Sequence, residues 1–191
     1  MTKKDGKLIV IVAPSGTGKS TLMRRVREDF ANDLIESISY TTREIRPGET
    51  DGVDYFFIKK QEFEEMIKHD EFIEWALVHG DYKGTSKKYI NKKIKEGSNI
   101  IFDLDVQGTD SMKKEFDTQA IAIFIKPPSY EVLEKRLRGR GTENEEAITT
   151  RLENAKIELS RSEDYDYSIV NDDVDKAYND LSKLIRRLIG E

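Results

Sequence analysis

Residues 8–22 read LIVIVAPSGTGKSTL, and this stretch decides how the rest of the chain is read. Five apolar residues without alternation predict a strand covered on both faces, and a turn with Gly16 and Gly18 then leads into a helix. The spacing is that of a phosphate loop, x4-G-K-[ST], with Ala13 where the stricter form of the motif has glycine. In such a loop successive backbone N–H groups and the helix N-terminus face the phosphates, which is why glycines stand at 16 and 18. Lys19 would reach the β/γ-phosphates and Ser20 would ligate Mg2+. A plain glycine turn before a helix is the alternative. The strand before it and the Lys-Ser-Thr ending favour a nucleoside triphosphate site.

Outward from this loop, four further apolar segments read as buried strands: Ile35 to Tyr40, Asn99 to Leu104, Ala120 to Ile125 and Tyr167 to Val170. Helical spacing follows most of them. Leu22, Val26 and Phe30 share one face, as do Val132, Leu133 and Leu137, and Ala177, Leu181, Leu184, Ile185 and Leu188 form a closing stripe. Strand then helix, repeated, predicts an α/β fold with a five-stranded parallel, doubly wound sheet flanked by helices. Two segments interrupt the rhythm. Residues 37–84 carry loops, the short apolar piece Tyr55 to Ile58 and a small helix around Glu62 to Lys68; residues 138–147, RGRGTENEEA, are glycine-bearing and charged. Both are expected over the carboxyl edge of the sheet, where ligands bind and lids move.

Composition narrows the partners. The 191 residues carry a net charge of −5, so nucleic acid and anionic membranes are not expected as partners of the chain as a whole. Cysteine is absent, which excludes disulfides and thiolate sites. The opening MTKKDGK runs straight into a strand, so no signal peptide is expected, and no apolar run approaches the ~20 residues of a membrane span. A soluble cytoplasmic protein is the expectation.

The acceptor of the phosphoryl group is read from residues 37–55, SISYTTREIRPGETDGVDY. Arg43 and Arg46 supply two guanidinium forks, and these repel unless an anion lies between them; arginine matches phosphate bidentately, and Tyr55 adds a neutral donor. Glu74 stands in the apolar run EFIEWAL beside Trp75, the single tryptophan. A carboxylate there is costly unless it accepts hydrogen bonds. Guanine offers two adjacent donors, N1–H and N2–H2, which one carboxylate accepts together; adenine does not. Ser39 adds a polar contact. Spacing alone leaves Glu74 open between a base reader and an ordinary exposed strand residue.

With these residues in view, the sequence resembles the guanylate kinase family over essentially its whole length. The matching segments, in order, are APSGTGKSTL, SYTTREIRPGETDGVDYFF, FIEWALVHGDYKGT, FDLDVQG, RLRGRGTE and IVNDD. The resemblance implies a core (residues 1–36, 85–137 and 148–191), a GMP-binding subdomain at about 37–84 and a lid at about 138–147. It implies γ-phosphoryl transfer from ATP to GMP with Mg2+, so that ATP and GMP are the partners. ATP would lie along Ala13, Pro14, Ser15, Gly16, Thr17, Gly18, Lys19, Ser20 and Thr21, with Arg140 and Asn171 near the adenine. Arg136, Arg140 and Arg151 match lid-side arginines that act with Lys19 on the transferring phosphates. GMP would be held by Ser39, Arg43, Arg46, Tyr55, Glu74, Tyr82, Lys83, Thr85 and Asp105. Asp103 resembles a carboxylate that orders the metal's water shell.

One position departs. The family usually has GNYYGT, and this chain has GDYKGT, so Lys83 stands where a tyrosine donates to the GMP phosphate. Either its ammonium replaces the phenol as a point charge, or it is solvated and the two arginines with Tyr55 suffice. Trp75 is expected to pack rather than stack on a base, His69 and His79 are not expected to be catalytic, and the lysines from Lys87 to Lys95 read as a solvated helix face. Two rivals are a guanylate-kinase-like peptide-binding module and a sugar-phosphate kinase. The intact phosphate loop speaks against the first, and Glu74 with Ser39 against the second.

Overall fold

The computed structural model describes residues 5–139 and 144–190. Its centre is β1 (Leu8–Val12), in which all five side chains are buried because both faces are covered. Leu8, Val10 and Val12 point into one core cluster, and Ile9 and Ile11 into the other. Four strands join β1 in a wholly parallel sheet: β2 (Leu34–Glu36), β7 (Asn99–Asp103), β8 (Ala120–Lys126) and β9 (Tyr167–Val170), in the order β2-β7-β1-β8-β9. β1 therefore leads away on one side toward β7 and receives β8 on the other. The crevice at its carboxyl end is the switch point where such sheets bind ligands.

Helices cover both faces. α1 (Lys19–Asp29) and α7 (Val174–Ile189) enclose one cluster, where Leu22, Val26, Phe30, Leu181 and Ile185 are fully buried. α3 (Lys87–Lys95) and α4 (Val106–Phe116) enclose the other through Ile90, Ile94, Met112 and Phe116. α5 (Tyr130–Arg138) packs on α6 (Glu145–Ser160) around Leu133, Leu137, Ile148 and Leu152. The expected five-stranded parallel sheet is present. No described helix is long and apolar enough to cross a membrane.

The second predicted strand differs from its expectation. Ile35 to Tyr40 is not one strand. Leu34–Glu36 belongs to the core sheet, and the chain then leaves it so that β3 (Tyr40–Thr41) enters a second sheet. This sheet has the order β4-β3-β6-β5, with β4 (Phe56–Phe57), β5 (Phe72–Val78) and β6 (Asp81–Ser86). It occupies much of the region read as loops around one helix, α2 (Lys60–Lys68). Its strands were hidden because two of them are two residues long and β5 is exposed along its outer half. His79 (φ 54°) and Gly80 (φ 92°) make the two-residue turn between β5 and β6, both in the left-handed region as a type I′ hairpin requires. A stack of Phe72, Phe63 and Tyr82, with centroids 4.3 and 5.1 Å apart, pins α2 to this sheet.

Candidate active site

The phosphate loop takes its shape from its glycines and from what lies behind them. Gly16 (φ 90°) and Gly18 (φ 88°) are both left-handed. A Cβ on Gly16 would come within 2.8 Å of Leu137, and one on Gly18 within 2.5 Å of the Asn171 amide. Thr17 is buried, and its hydroxyl donates to the Pro14 carbonyl at 2.9 Å. The Thr17 carbonyl in turn accepts from Asn171 Nδ2 at 2.6 Å. Asn171 is itself buried and anchored through its own N–H to the Lys126 carbonyl. The structure therefore places the Asn171 amide directly behind the loop as its support. α1 begins at Gly18 with no side-chain cap, so its N-terminal dipole faces the loop.

Lys19 lies among oxygens. Its ammonium contacts the Asp103 carboxylate at the end of β7 and donates to the Leu104 carbonyl at 3.3 Å. Ser20 is exposed on the first turn of α1. Arg151 reaches from α6 to donate to the Ser15 hydroxyl at 3.0 Å, so a cation from the far helix stands at the mouth of the loop. Arg136 donates to the carbonyls of Asn171 and Asp172 at 2.9 and 3.2 Å, which ties α5 to the segment after β9. Arg140, and with it the middle of the expected lid, lies outside the described residues.

A cavity of about 420 Å³ opens between the carboxyl end of β7 and the second sheet. Ser39, Tyr55, Glu74, Lys83, Thr85 and Asp103 all line it. Glu74 reaches it through a break in the strand register. Phe72 pairs with Ser86 and Glu74 with Thr85, so Ile73 is an extra residue and the strand is bulged there. Phe72 and Ile73 are buried, and Glu74, Ala76 and Val78 line the cavity. Glu74 Oε1 accepts from the buried Thr85 hydroxyl at 2.6 Å. Burial pushes its carboxyl pKa up, the Thr85 hydrogen bond opposes this, and the nearby Asp105 charge adds to the rise. Each carboxylate oxygen has two acceptor positions, so beyond Thr85 Glu74 keeps capacity for at least two more donors.

The remaining sequence-predicted residues divide. Lys83 Nζ stands 5.2 Å from the Tyr55 ring centroid, and the Arg43 guanidinium 5.6 Å from it, so two cations flank one phenol. Arg46 is exposed nearby. The Thr41 and Thr42 hydroxyls bond to the backbone of Tyr82 and so staple β3 to β6. Tyr82 points elsewhere: its ring stacks on Phe63, outside the cavity. Asp105 caps α4 by accepting from Gly108 N at 2.7 Å. Trp75 is 47% exposed and packs edge-on against Tyr82. His69 and His79 are exposed, and neither lines the cavity.

Sequence reasoning missed one residue. Glu49 accepts from Arg43 Nη2 at 2.6 Å and from the Arg46 backbone N–H at 2.8 Å. In this structure it is the anion paired with Arg43. The available signal was a carboxylate three residues past Arg46 across a Pro-Gly turn.

Comparison with known proteins gives this geometry a context. The family model described as guanylate kinase matches residues 5–188. The chain is 45% identical over 183 residues to the guanylate kinase of Rickettsia felis, covering 96% of this chain and 94% of the relative. It is 47% identical over 180 residues to that of Fusobacterium nucleatum, covering 94% and 96%. A crystal structure of guanylate kinase from Anaplasma phagocytophilum superimposes with a TM-score of 0.66 at 31% identity, covering 100% of this chain and 90% of that one. The chain belongs to the guanylate kinase family, the ATP:GMP phosphotransferases among the nucleoside monophosphate kinases.

Proposed function

We propose that this chain carries out the family's transfer of the γ-phosphoryl group of ATP to GMP with the division of labour that follows. The observation that carries the reading is the half-buried Glu74 carboxylate on the cavity wall, bonded to Thr85 and still able to accept a pair of donors. Guanine N1–H and N2–H2 are such a pair, and Ser39 lies in the same wall. Arg43, Arg46, Tyr55 and Lys83 would bind the GMP phosphate. Lys83 is a cation where the family usually has a tyrosine, so it would act as a point charge. Tyr82 and Asp105 would also support the site, through packing on Phe63 and capping of α4.

On the donor side, the loop from Ala13 to Thr21 would hold the phosphates of ATP, with Asn171 keeping the loop in shape. Lys19 would exchange its Asp103 contact for the β/γ-phosphates. Arg151 at Ser15, with Arg136 and Arg140, would face the charge that spreads over the transferring group. The acceptor oxygen is anionic near neutral pH because the second phosphate pKa is about 6, so no general base is needed. Neither histidine lines the cavity, as that chemistry allows.

Mg2+ fits the donor set. Ser20 and Asp103 offer hard oxygens beside Lys19, and no group of three or more acidic, His or Cys side chains among the described residues forms a cage of its own. An ion held by few protein groups, waters and substrate phosphates suits magnesium. Bound there, it would neutralise charge on the β- and γ-phosphates. The chain's own part is to orient the two nucleotides and exclude water by closing the second sheet and the segment near residues 138–147 over them. A cytoplasmic setting follows from the same reading, because ATP and nucleoside monophosphates are abundant there.

The test is a coupled assay of ADP formation with ATP, Mg2+ and each of GMP, AMP, CMP and UMP. Turnover with GMP, at a kcat/KM at least about 100-fold above the others, is expected from a site built around hydrogen bonds to one base. Equal use of AMP, or no turnover with any of the four, would overturn the reading.

A further inference from the structure

Arg46, Pro47, Gly48 and Glu49 form a tight turn closed by the Glu49 N–H on the Arg46 carbonyl at 3.0 Å. Pro47 sits second and Gly48, at φ 91°, third, the arrangement of a type II turn. This turn folds the Glu49 side chain back over its own start. One carboxylate oxygen then accepts from the Arg46 backbone N–H, and the other from Arg43 Nη2. Arg43 Nη1 is held separately by the Glu44 carbonyl at 2.6 Å. Its guanidinium lies 5.6 Å from the ring centroids of both Tyr55 and Phe57. The Arg43 and Glu49 side chains are only 15% and 21% exposed. The pair also holds the Glu49 carboxyl below the usual carboxylate range, chiefly through the Arg43 hydrogen bond.

We infer that Glu49 is a positioning residue of the acceptor-phosphate site, tying the Arg43 fork to the backbone of Arg46 and so setting the spacing of the two guanidiniums before GMP arrives. This rests on the reading of residues 43–55 as the GMP-phosphate site. The physical reason is ordering. An unheld arginine has many rotamers to lose on binding, whereas Arg43 is already fixed by two acceptors and two rings. Glu49 also screens Arg43 from the neighbouring cations while the site awaits its phosphate. A guanidinium keeps further N–H groups after these two contacts, so phosphate can add to the arrangement without displacing Glu49.

The experiment compares wild type, Glu49→Gln, Glu49→Ala, Arg43→Ala and the Glu49→Ala/Arg43→Ala double variant. KM for GMP, KM for ATP, kcat and melting temperature are measured for each. Glu49→Ala is expected to raise the KM for GMP about tenfold, with a smaller fall in kcat and less than about a twofold change in the KM for ATP. Glu49→Gln, which keeps the acceptor for the Arg46 N–H, is expected to fall between it and wild type. In the Arg43→Ala background, removing Glu49 is expected to add little, because it acts through Arg43. Additive effects would overturn the inference, and so would an unchanged KM for GMP in Glu49→Ala. A lowered KM would overturn it too, since Glu49 would then be a competitor of the phosphate. If wild type fails to use GMP at all, the reading of the site falls first and on separate grounds.

Discussion

Glu74 shows what a single residue is asked to do in this fold. Its carboxylate sits where burial disfavours the charge, yet on the proposed reading the charged form is the one that would accept both donors of the guanine edge. Because its folded pKa lies above the unfolded value, the folded protein retains a proton in the window between the two. Stability therefore falls as pH rises through that window, and the ionised form is a cost at neutral pH. Glu74→Gln removes the charge and can keep the Thr85 contact. It is expected to melt above wild type at pH 7. The difference should shrink as pH falls below the ordinary glutamate pKa of about 4.3, where wild type increasingly carries the proton in both states. Thermal melts at the two pH values check this; a variant less stable at pH 7 would show that the carboxylate is not a burden. The sequence marks this burden in advance, but it does not show that Glu49 pairs with Arg43. EFIEWAL shows an acid in an apolar run, but only the extra residue at Ile73 aims it into the cavity.

Among the elements, the phosphate loop depends on a neighbour far along the chain. Asn171, just past β9, spends its amide on the Thr17 carbonyl in a fully enclosed setting. Asn171→Ala leaves that carbonyl without a donor, which costs about 1–3 kcal/mol. The loop loosens on the ATP side only, so the KM for ATP is expected to rise while the KM for GMP stays within about twofold. Steady-state kinetics with each substrate varied in turn would show this, and an equal rise in both would contradict it. The core elements were legible because β1 and β8 are almost wholly buried and must be written as unbroken apolar runs. The second sheet was not. β3 and β4 are too short to show a period, β5 is exposed along its outer half, and Gly84 interrupts β6 where a Cβ would meet Phe72 and Phe63 at about 3 Å. The run from Ile35 to Tyr40 looked like one strand because apolarity does not record a change of sheet.

At the scale of the whole molecule, the phosphate loop is rooted in a buried parallel sheet, and the cavity wall that carries Glu74 is built on a small second sheet exposed along part of its length. The charge pattern follows this division. Lys19 rests on Asp103 and Arg43 on Glu49, so two of the cations proposed to bind phosphate are each paired with a carboxylate. Nucleotide binding then exchanges or adds partners without exposing a bare charge. The central claim is that Glu74 reads the two donors on guanine's pairing edge. The most direct measurement is kcat/KM for GMP and for inosine monophosphate, which lacks the 2-amino group, in wild type and Glu74→Gln. A charged hydrogen bond of ~1.5–3 kcal/mol predicts that wild type favours GMP by about 10- to 100-fold. In Glu74→Gln, whose amide can meet only one of the two donors, that preference is expected to collapse. If Glu74→Gln keeps the wild-type preference, Glu74 does not read guanine and the account of the cavity is wrong.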